Sequence, residues 1–212
     1  MSHLEYQLTY RRNLPHIQPL NATLFVTFRL AGTLPKSLIA RWQEKRRWLL
    51  QLAQKNPSYH EQVKTIFDRS GFAKFERILD SVEVGPTWLR DQRVAAIVAE
   101  SLHYRDGTVY RLGAFSIMPN HVHAVIKPLP IEGNECGYHS LSSTMQSLKG
   151  YTAFQCNRAL GRTGEFWAHE SFDHYIRDTD ERQRIVAYVL NNPVKAGYVK
   201  RWQDWKWSFC RV

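Results

Sequence analysis

Apolar and polar residues alternate along several segments of the chain, and this period-two pattern predicts β-strands. The segment 22–30, Ala-Thr-Leu-Phe-Val-Thr-Phe-Arg-Leu, is the clearest example. Other segments repeat every three to four residues, which predicts amphipathic helices. In chain order the pattern predicts a strand at 22–30, helices within 35–55, 61–79 and 88–103, strands at 109–118, 121–127 and 172–177, and helices at 140–160 and 179–192. We expect residues 1–20 to form an irregular arm, and Pro193 to end the last helix.

This order of elements predicts an α+β fold of the ferredoxin-like kind, in which helices cover one face of an antiparallel sheet. The helical block 35–104 is then an enlarged insertion in the first crossover. We interpret residues 1–212 as a single domain, with 195–212 as a basic, tryptophan-rich tail.

The charge of the chain narrows the class of partner. Twenty-nine Lys and Arg against 19 Asp and Glu give a net charge of +10, which predicts a polyanionic partner, nucleic acid before an anionic membrane. No apolar run approaches the roughly 20 residues of a membrane span. The three cysteines are far apart, and the first residues lack the apolar core of a signal peptide. We therefore expect reduced thiols, a cytoplasmic protein and no membrane partner.

His121 and His123 are the strongest candidates for metal ligands. Side chains two positions apart on a strand point to the same face, so two imidazoles can converge on one divalent ion. By itself the pair is a weak signal, because most such histidines lie on the surface or are hydrogen-bonded in the core.

The predicted helix 179–192 carries a second set of candidates. Its apolar residues form one stripe, whereas Arg184, Tyr188 and Asn192 lie four positions apart on the other side. There the phenol could act as a nucleophile, the carboxamide as a metal ligand and the guanidinium as a phosphate contact.

Three motifs together resemble the single-tyrosine HUH transposases, specifically the REP-associated tyrosine transposases of bacteria. They are Met118-Pro-Asn-His-Val-His123, Phe172-Asp-His-Tyr-Ile-Arg-Asp178 and Tyr188-Val-Leu-Asn-Asn-Pro-Val-Lys-Ala-Gly197. The resemblance covers roughly residues 10–30 and 105–210 and adds nothing for 35–104. It implies that His121 and His123 bind metal, that Tyr188 is the nucleophile, and that Asn192 is the third ligand.

The resemblance also implies an activity. It is that of a metal-dependent endonuclease and strand transferase, which cuts and rejoins single-stranded DNA at hairpin-forming palindromes through a covalent 5′-phosphotyrosine. Imidazole and carboxamide ligands suit Mg²⁺ or Mn²⁺. A nucleoid-associated protein is expected, as a monomer or a homodimer, and the sequence leaves open whether the site forms within one chain.

Other residues compete for these roles. Tyr151 and Tyr175 are alternative nucleophiles, and His169 or His174 could replace Asn192 as a ligand. Trp205 and Trp207 are expected to pack on the core. The expected DNA contacts are cations and one tryptophan that could stack on a base, namely Arg11, Arg12, Lys149, Arg158, Arg184, Lys195, Lys200, Arg201 and Trp202.

Two other functions stay open. One is a non-catalytic protein, derived from such a transposase, that binds hairpin DNA without cutting it. The other is a metal hydrolase of small phosphoesters, which the positive charge and the tryptophan-rich tail disfavour.

Overall fold

A computed structural model describes residues 9–11, 15–17, 19, 21–33, 44, 85–133 and 137–211. The chain divides into two compact units, residues 1–31 with 87–212, and residues 32–86. All helices and strands discussed below belong to the first unit.

The described strands of this unit form an antiparallel sheet of five strands and a separate pair. The pair consists of β1 (Thr9–Arg11) and β2 (Pro15–Ile17). The five strands of the sheet are β3 (Thr23–Leu30), β4 (Tyr110–Ile117), β5 (His121–Pro128), β6 (Trp167–Ile176) and β7 (Ser208–Cys210). Their order across the sheet is β6-β3-β5-β4-β7.

This strand order confirms the predicted ferredoxin-like class. Without the edge strand β7, the four long strands lie in the order fourth, first, third, second, and all neighbours are antiparallel. β5, which carries the histidines, is the central strand. Its side chains alternate, so Val122 and Ala124 join the main core while His121 and His123 point to the opposite face.

Helices α1 (Gln92–Tyr104) and α2 (Leu141–Ala159) cover the core face of the sheet. Side chains of both helices, such as Val98 and Leu148, form one buried cluster with those of the sheet. Each helix begins at a capping side chain. Asp91 accepts a hydrogen bond from the Arg93 amide, and Ser140 accepts one from the Ser143 amide.

The third helix of the described residues, α3 (Thr179–Lys195), lies on the opposite face of the sheet and packs on β4 and β5. The expected coverage of one face therefore holds for α1 and α2 only. The predicted end at Pro193 is wrong, because the helix continues for two more residues before Gly197 turns the chain with a φ of 74°. Asn192 and Pro193 are buried, and this packing outweighs the preference against a helical residue before proline.

A hydrogen-bonded turn connects the end of β6 to the start of α3. Glu181 accepts bonds from the Arg177 amide at 2.7 Å and from His174 Nε2 at 3.0 Å. Burial raises the pKa of the Glu181 carboxyl, but these two bonds and the nearby charges outweigh it and hold the pKa below its ordinary value.

Several predicted segments differ from the structure. The expected irregular arm contains the paired strands β1 and β2, the C-terminal tail contributes β7, and β6 begins at Trp167, ahead of the short strand predicted at 172–177. The predicted helices at 35–55 and 61–79 lie outside the described residues, except for Glu44, which is helical. The insertion 35–104 and the single domain stay predictions, although α1 itself packs within the first unit. Among the described helices, none has the length and apolar character that crossing a membrane requires.

Candidate active site

The two histidines of β5 converge on one point. Both are fully buried, their rings are 4.5 Å apart, and the Nε2 atoms are separated by 2.9 Å. Burial lowers the pKa of His121 to about 3 and the pKa of His123 well below its ordinary value, and the charge of Lys195 adds to the effect at His123. Both imidazoles are therefore neutral at pH 7, which is the form that binds metals.

The other nitrogen of each ring is hydrogen-bonded to a neighbouring side chain. His121 Nδ1 donates to Asn120 Oδ1 at 2.6 Å, so the Nε2 of that ring carries the lone pair. His123 Nδ1 lies 2.8 Å from Thr27 Oγ1 on β3, a hydroxyl that can accept a hydrogen bond from the Nδ1–H group. Such partners orient a metal-binding histidine. Sequence analysis missed both residues, although Asn120 is adjacent to His121 in the chain.

Tyr188 on α3 lies beside this pair within the same chain. Its ring centroid is 5.5 Å from that of His123 and 6.1 Å from that of Phe25, and its hydroxyl oxygen is buried. The ammonium of Lys195 is 4.6 Å from the centre of the phenol ring. Two histidines and one tyrosine, more than sixty positions apart in sequence, are thus brought together with a cation.

Asn192 follows Tyr188 by one helical turn and is 1% exposed. Its Nδ2 donates to the Tyr188 carbonyl at 3.1 Å, whereas Oδ1 has no hydrogen-bond donor within the described residues. A buried acceptor without a donor costs about 1–3 kcal/mol. A bound cation would satisfy this oxygen.

The two imidazoles fit a divalent ion by geometry, and the Asn192 carboxamide fits one by donor type. Two ligand atoms each about 2.1 Å from one ion, at a right angle, lie about 3 Å apart, close to the separation of the two Nε2 atoms. No group of three His, Cys, Asp or Glu side chains is placed to hold a metal in the part of the chain that the structure describes. The candidate centre is therefore two imidazoles and the Asn192 carboxamide.

The competing nucleophiles lie elsewhere. Tyr151 is on α2, which covers the other face of the sheet, and is 53% exposed. Tyr175 pairs with Leu24 in the sheet register and packs on the main core. Of the alternative ligands, His174 bonds to Glu181 and His169 is exposed.

The predicted DNA contacts fall into different environments. The ammonium of Lys149 bonds to the carbonyls of Ala168 and His169 and to the Ser171 hydroxyl, which ties α2 to β6, a structural role that the sequence did not indicate. Arg201 forms an ion pair with Asp204. The predicted cations Arg158, Arg184 and Lys200 are exposed.

Two further predicted contacts, Arg11 and Arg12, are at the N-terminus. Arg11 belongs to β1, of which only the backbone is described, and Arg12 lies outside the described residues. Their role in DNA binding stays a prediction.

Among the tail tryptophans, Trp207 packs on the main core, and Trp205 donates to the Ile117 carbonyl at 3.0 Å, as expected of structural residues. Trp202 is partly exposed and lines a cavity.

Arg29 is a buried cation that sequence analysis did not select. It is 8% exposed, and it lies opposite His121 in the register of β3 and β5. Burial lowers its pKa to about 10, although the Glu170 carboxylate opposes this shift. Because Thr27 and Arg29 are two positions apart on one strand, their side chains share a face, and the period-two pattern could have placed both on the histidine face.

Comparison with known proteins gives these residues a context. A protein of Haemophilus influenzae, assigned by name to the REP-associated tyrosine transposases, is 31% identical over 109 residues, which are 50% of this chain and 60% of that protein. A REP-associated tyrosine transposase of Escherichia coli is 27% identical over 136 residues, which are 58% of this chain and 76% of that protein. The chain is a relative of the REP-associated tyrosine transposases.

A solved structure in the same group is also similar. It is that of a REP-associated tyrosine transposase bound to a REP hairpin, which aligns with 94% of this chain and 80% of its own at 21% identity and a TM-score of 0.49. No protein-family model matches the chain. The chain thus matches less than two thirds of the Haemophilus relative, whereas it matches about three quarters of the Escherichia coli protein.

Proposed function

We propose that this protein is a metal-dependent endonuclease and strand transferase of single-stranded DNA, which cuts and rejoins DNA beside hairpin-forming repeats. The observation that carries the proposal is the convergence of the two Nε2 atoms, 2.9 Å apart, with the phenol of Tyr188 beside His123. The relatives are named as transposases, which supports a DNA substrate, and the net charge of +10 supports a polyanionic one.

In this mechanism His121, His123 and Asn192 would hold Mg²⁺ or Mn²⁺. The ion would neutralise the non-bridging oxygens of the scissile phosphate and so reduce their repulsion of a nucleophile. A phenol has an ordinary pKa of about 10, so at neutral pH its attack needs a nearby positive charge. Lys195 supplies one from within the chain.

The covalent step exchanges one phosphate ester for another. The Tyr188 oxygen forms a bond to phosphorus, the bond from phosphorus to the 3′ oxygen breaks, and the phenolic proton is lost while the released 3′ oxygen gains one. The product is a 5′-phosphotyrosine and a free 3′-hydroxyl. Because the ester is retained, a 3′-hydroxyl can attack it in reverse and rejoin DNA without ATP.

The site residues all come from one chain, which supports a site that works without exchange of α3 between subunits. Monomer or homodimer stays a prediction, as does the location in the cytoplasm at the nucleoid.

The test is incubation of the protein with a hairpin oligonucleotide carrying single-stranded flanks, in the presence of Mn²⁺. The wild type should form an adduct that survives denaturation, and Tyr188→Phe and His123→Ala should not. Tyr151→Phe is the matched control and should react as the wild type does. An adduct at wild-type level in Tyr188→Phe would remove Tyr188 from this role.

The second candidate is a non-catalytic protein, derived from such a transposase, that binds hairpin DNA without cutting it. It predicts hairpin binding that survives chelation of divalent metals, with no cleavage under Mg²⁺ or Mn²⁺. The same samples measured by gel shift and by denaturing electrophoresis separate the two functions.

A further inference from the structure

A cavity of about 330 Å³ lies on the side of α3 that faces away from the histidine pair. The α3 residues that line it occupy positions 182–183, 186–187 and 190–191. At 100° per residue the middle of this set, Val186 and Leu190, lies opposite Tyr188 on the helix, whereas Asn191 lies toward the Tyr188 side. One helix therefore presents the candidate nucleophile on one side and a wall of this cavity on the other.

The lining of the cavity includes the apolar side chains of Val186, Ala187 and Leu190, together with three other kinds of side chain. Trp202 provides an aromatic surface, Gln183 and Asn191 provide amides, and Arg182 and Arg211 provide positive charge. None of the described residues that line it is a carboxylate. The two arginines disfavour a cationic ligand, and the composition as a whole favours one with an aromatic ring, hydrogen-bonding edges and negative charge.

The two arginines differ in the ion pairs and hydrogen bonds that their side chains already make. Arg211 forms an ion pair with Asp106, and its Nε donates to the Leu112 carbonyl at 2.9 Å, so it is a fixed part of the wall. Arg182 is exposed and makes no ion pair with another described residue. Arg182 is thus the cation with donors available for a phosphate.

We propose that this cavity binds one unpaired DNA nucleotide of the strand that flanks the hairpin. The base stacks on Trp202, the amides of Gln183 and Asn191 contact its edges, and Arg182 pairs with its phosphate. The volume is near the lower end of the roughly 300–1,000 Å³ of small-ligand sites, which suits one nucleotide and not a duplex. The inference rests on the proposed function, because it takes single-stranded DNA as the substrate.

Cys210 gives a direct probe of occupancy. Cys210 lines the cavity and is partly accessible, whereas Cys156 is fully buried in the core. The rate of Cys210 alkylation by iodoacetamide can be followed by peptide mass spectrometry in Tyr188→Phe protein with EDTA, where no strand is cut. An oligothymidylate of about twelve nucleotides should slow this rate several-fold, and an abasic strand of equal length should not. Equal rates with and without saturating oligothymidylate would overturn the proposal.

Substitutions test the stacking contact independently. Because stacking of one base is worth about 1–3 kcal/mol, Trp202→Ala should weaken oligothymidylate binding about tenfold, while Trp202→Phe should retain most of the affinity. Gln183→Ala should weaken it less, and Gln146→Ala, on α2, should leave it unchanged. Affinity is measured by fluorescence anisotropy, with thermal unfolding as the check on folding. An equal loss for abasic and base-bearing strands would show contact with phosphate alone and overturn the proposal.

The two failures are distinguishable. Unchanged Cys210 alkylation with an intact Tyr188 adduct overturns this inference and leaves the proposed function standing. Base-dependent protection of Cys210 in a protein that never forms an adduct supports the cavity and overturns the catalytic function.

Discussion

Replacing Thr27 by valine tests how the protein prepares His123 for a metal. The Thr27 hydroxyl lies 2.8 Å from His123 Nδ1, and Thr27 is 1% exposed. Valine has nearly the same shape, with a methyl group in place of the hydroxyl, so the change leaves no cavity. What is lost is the acceptor that fixes the proton of the ring on Nδ1 and leaves Nε2 available.

The magnitude follows from the burial of this bond. Loss of a partner that orients a metal-binding histidine costs about 10- to 100-fold in metal affinity, or about 1.4–2.7 kcal/mol. The stronger β-strand preference of valine is worth less than about 1 kcal/mol and acts on folding, not on metal affinity. We therefore expect Thr27→Val to bind Mn²⁺ at least tenfold more weakly than the wild type.

The assay is titration of the purified protein with Mn²⁺, followed by the electron paramagnetic resonance signal of the free ion. Thr27→Ser, which keeps the hydroxyl, should bind nearly as the wild type does, and Thr23→Val, on the same strand, should have no effect. Affinity of Thr27→Val within about twofold of the wild type would refute the proposed orientation of His123.

Three further substitutions have distinct expected outcomes. Lys195→Met removes a charge 4.6 Å from the Tyr188 ring. Two unit charges at such a distance interact by about 1 kcal/mol in water and by about 4 kcal/mol at a protein surface. Because Lys195 is exposed, the lower energy applies. Adduct formation should slow about fivefold at pH 7 and less at alkaline pH, whereas an equal loss at every pH would indicate DNA binding alone. Lys149→Met should lower the free energy of unfolding by about 1–3 kcal/mol in urea, and no change would contradict its role in joining α2 to β6. Since the pKa of Glu181 is lowered from 4.5 in the folded chain, its charge stabilises the fold above that pH, and the contribution is lost as the pH falls through the lowered pKa. Glu181→Gln should therefore be less stable than the wild type at pH 7, with the difference vanishing in acid.

The sequence predicted those parts of the fold that depend on local periodicity. Strands β3, β4 and β5 and helices α1, α2 and α3 lie where the apolar pattern placed them, and the element order predicted the strand order. The paired strands β1 and β2 and the edge strand β7 are three residues each, too short for a period-two pattern, and they exist through pairing with other strands. Helix α3 continues past Pro193 because burial against the sheet outweighs the preference against a helical residue before proline.

The residues of the candidate site also divide into those that local periodicity predicts and those that depend on pairing between strands. His121, His123, Tyr188 and Asn192 could be selected because strand and helix periods place each pair on one face. The period-two pattern could place Thr27 on the histidine face, but it could not pair Thr27 with His123, because their bond joins residues 96 positions apart and depends on strand register.

Peptide mapping of the protein–DNA adduct tests the central claim most directly. Wild-type protein is incubated with Mn²⁺ and a hairpin oligonucleotide, digested with protease and nuclease, and sequenced by mass spectrometry. The account predicts a phosphodeoxynucleotide on Tyr188, with none when Mn²⁺ is withheld. A modification on Tyr151 or Tyr175, or no adduct from protein shown to bind both Mn²⁺ and the hairpin, would contradict it.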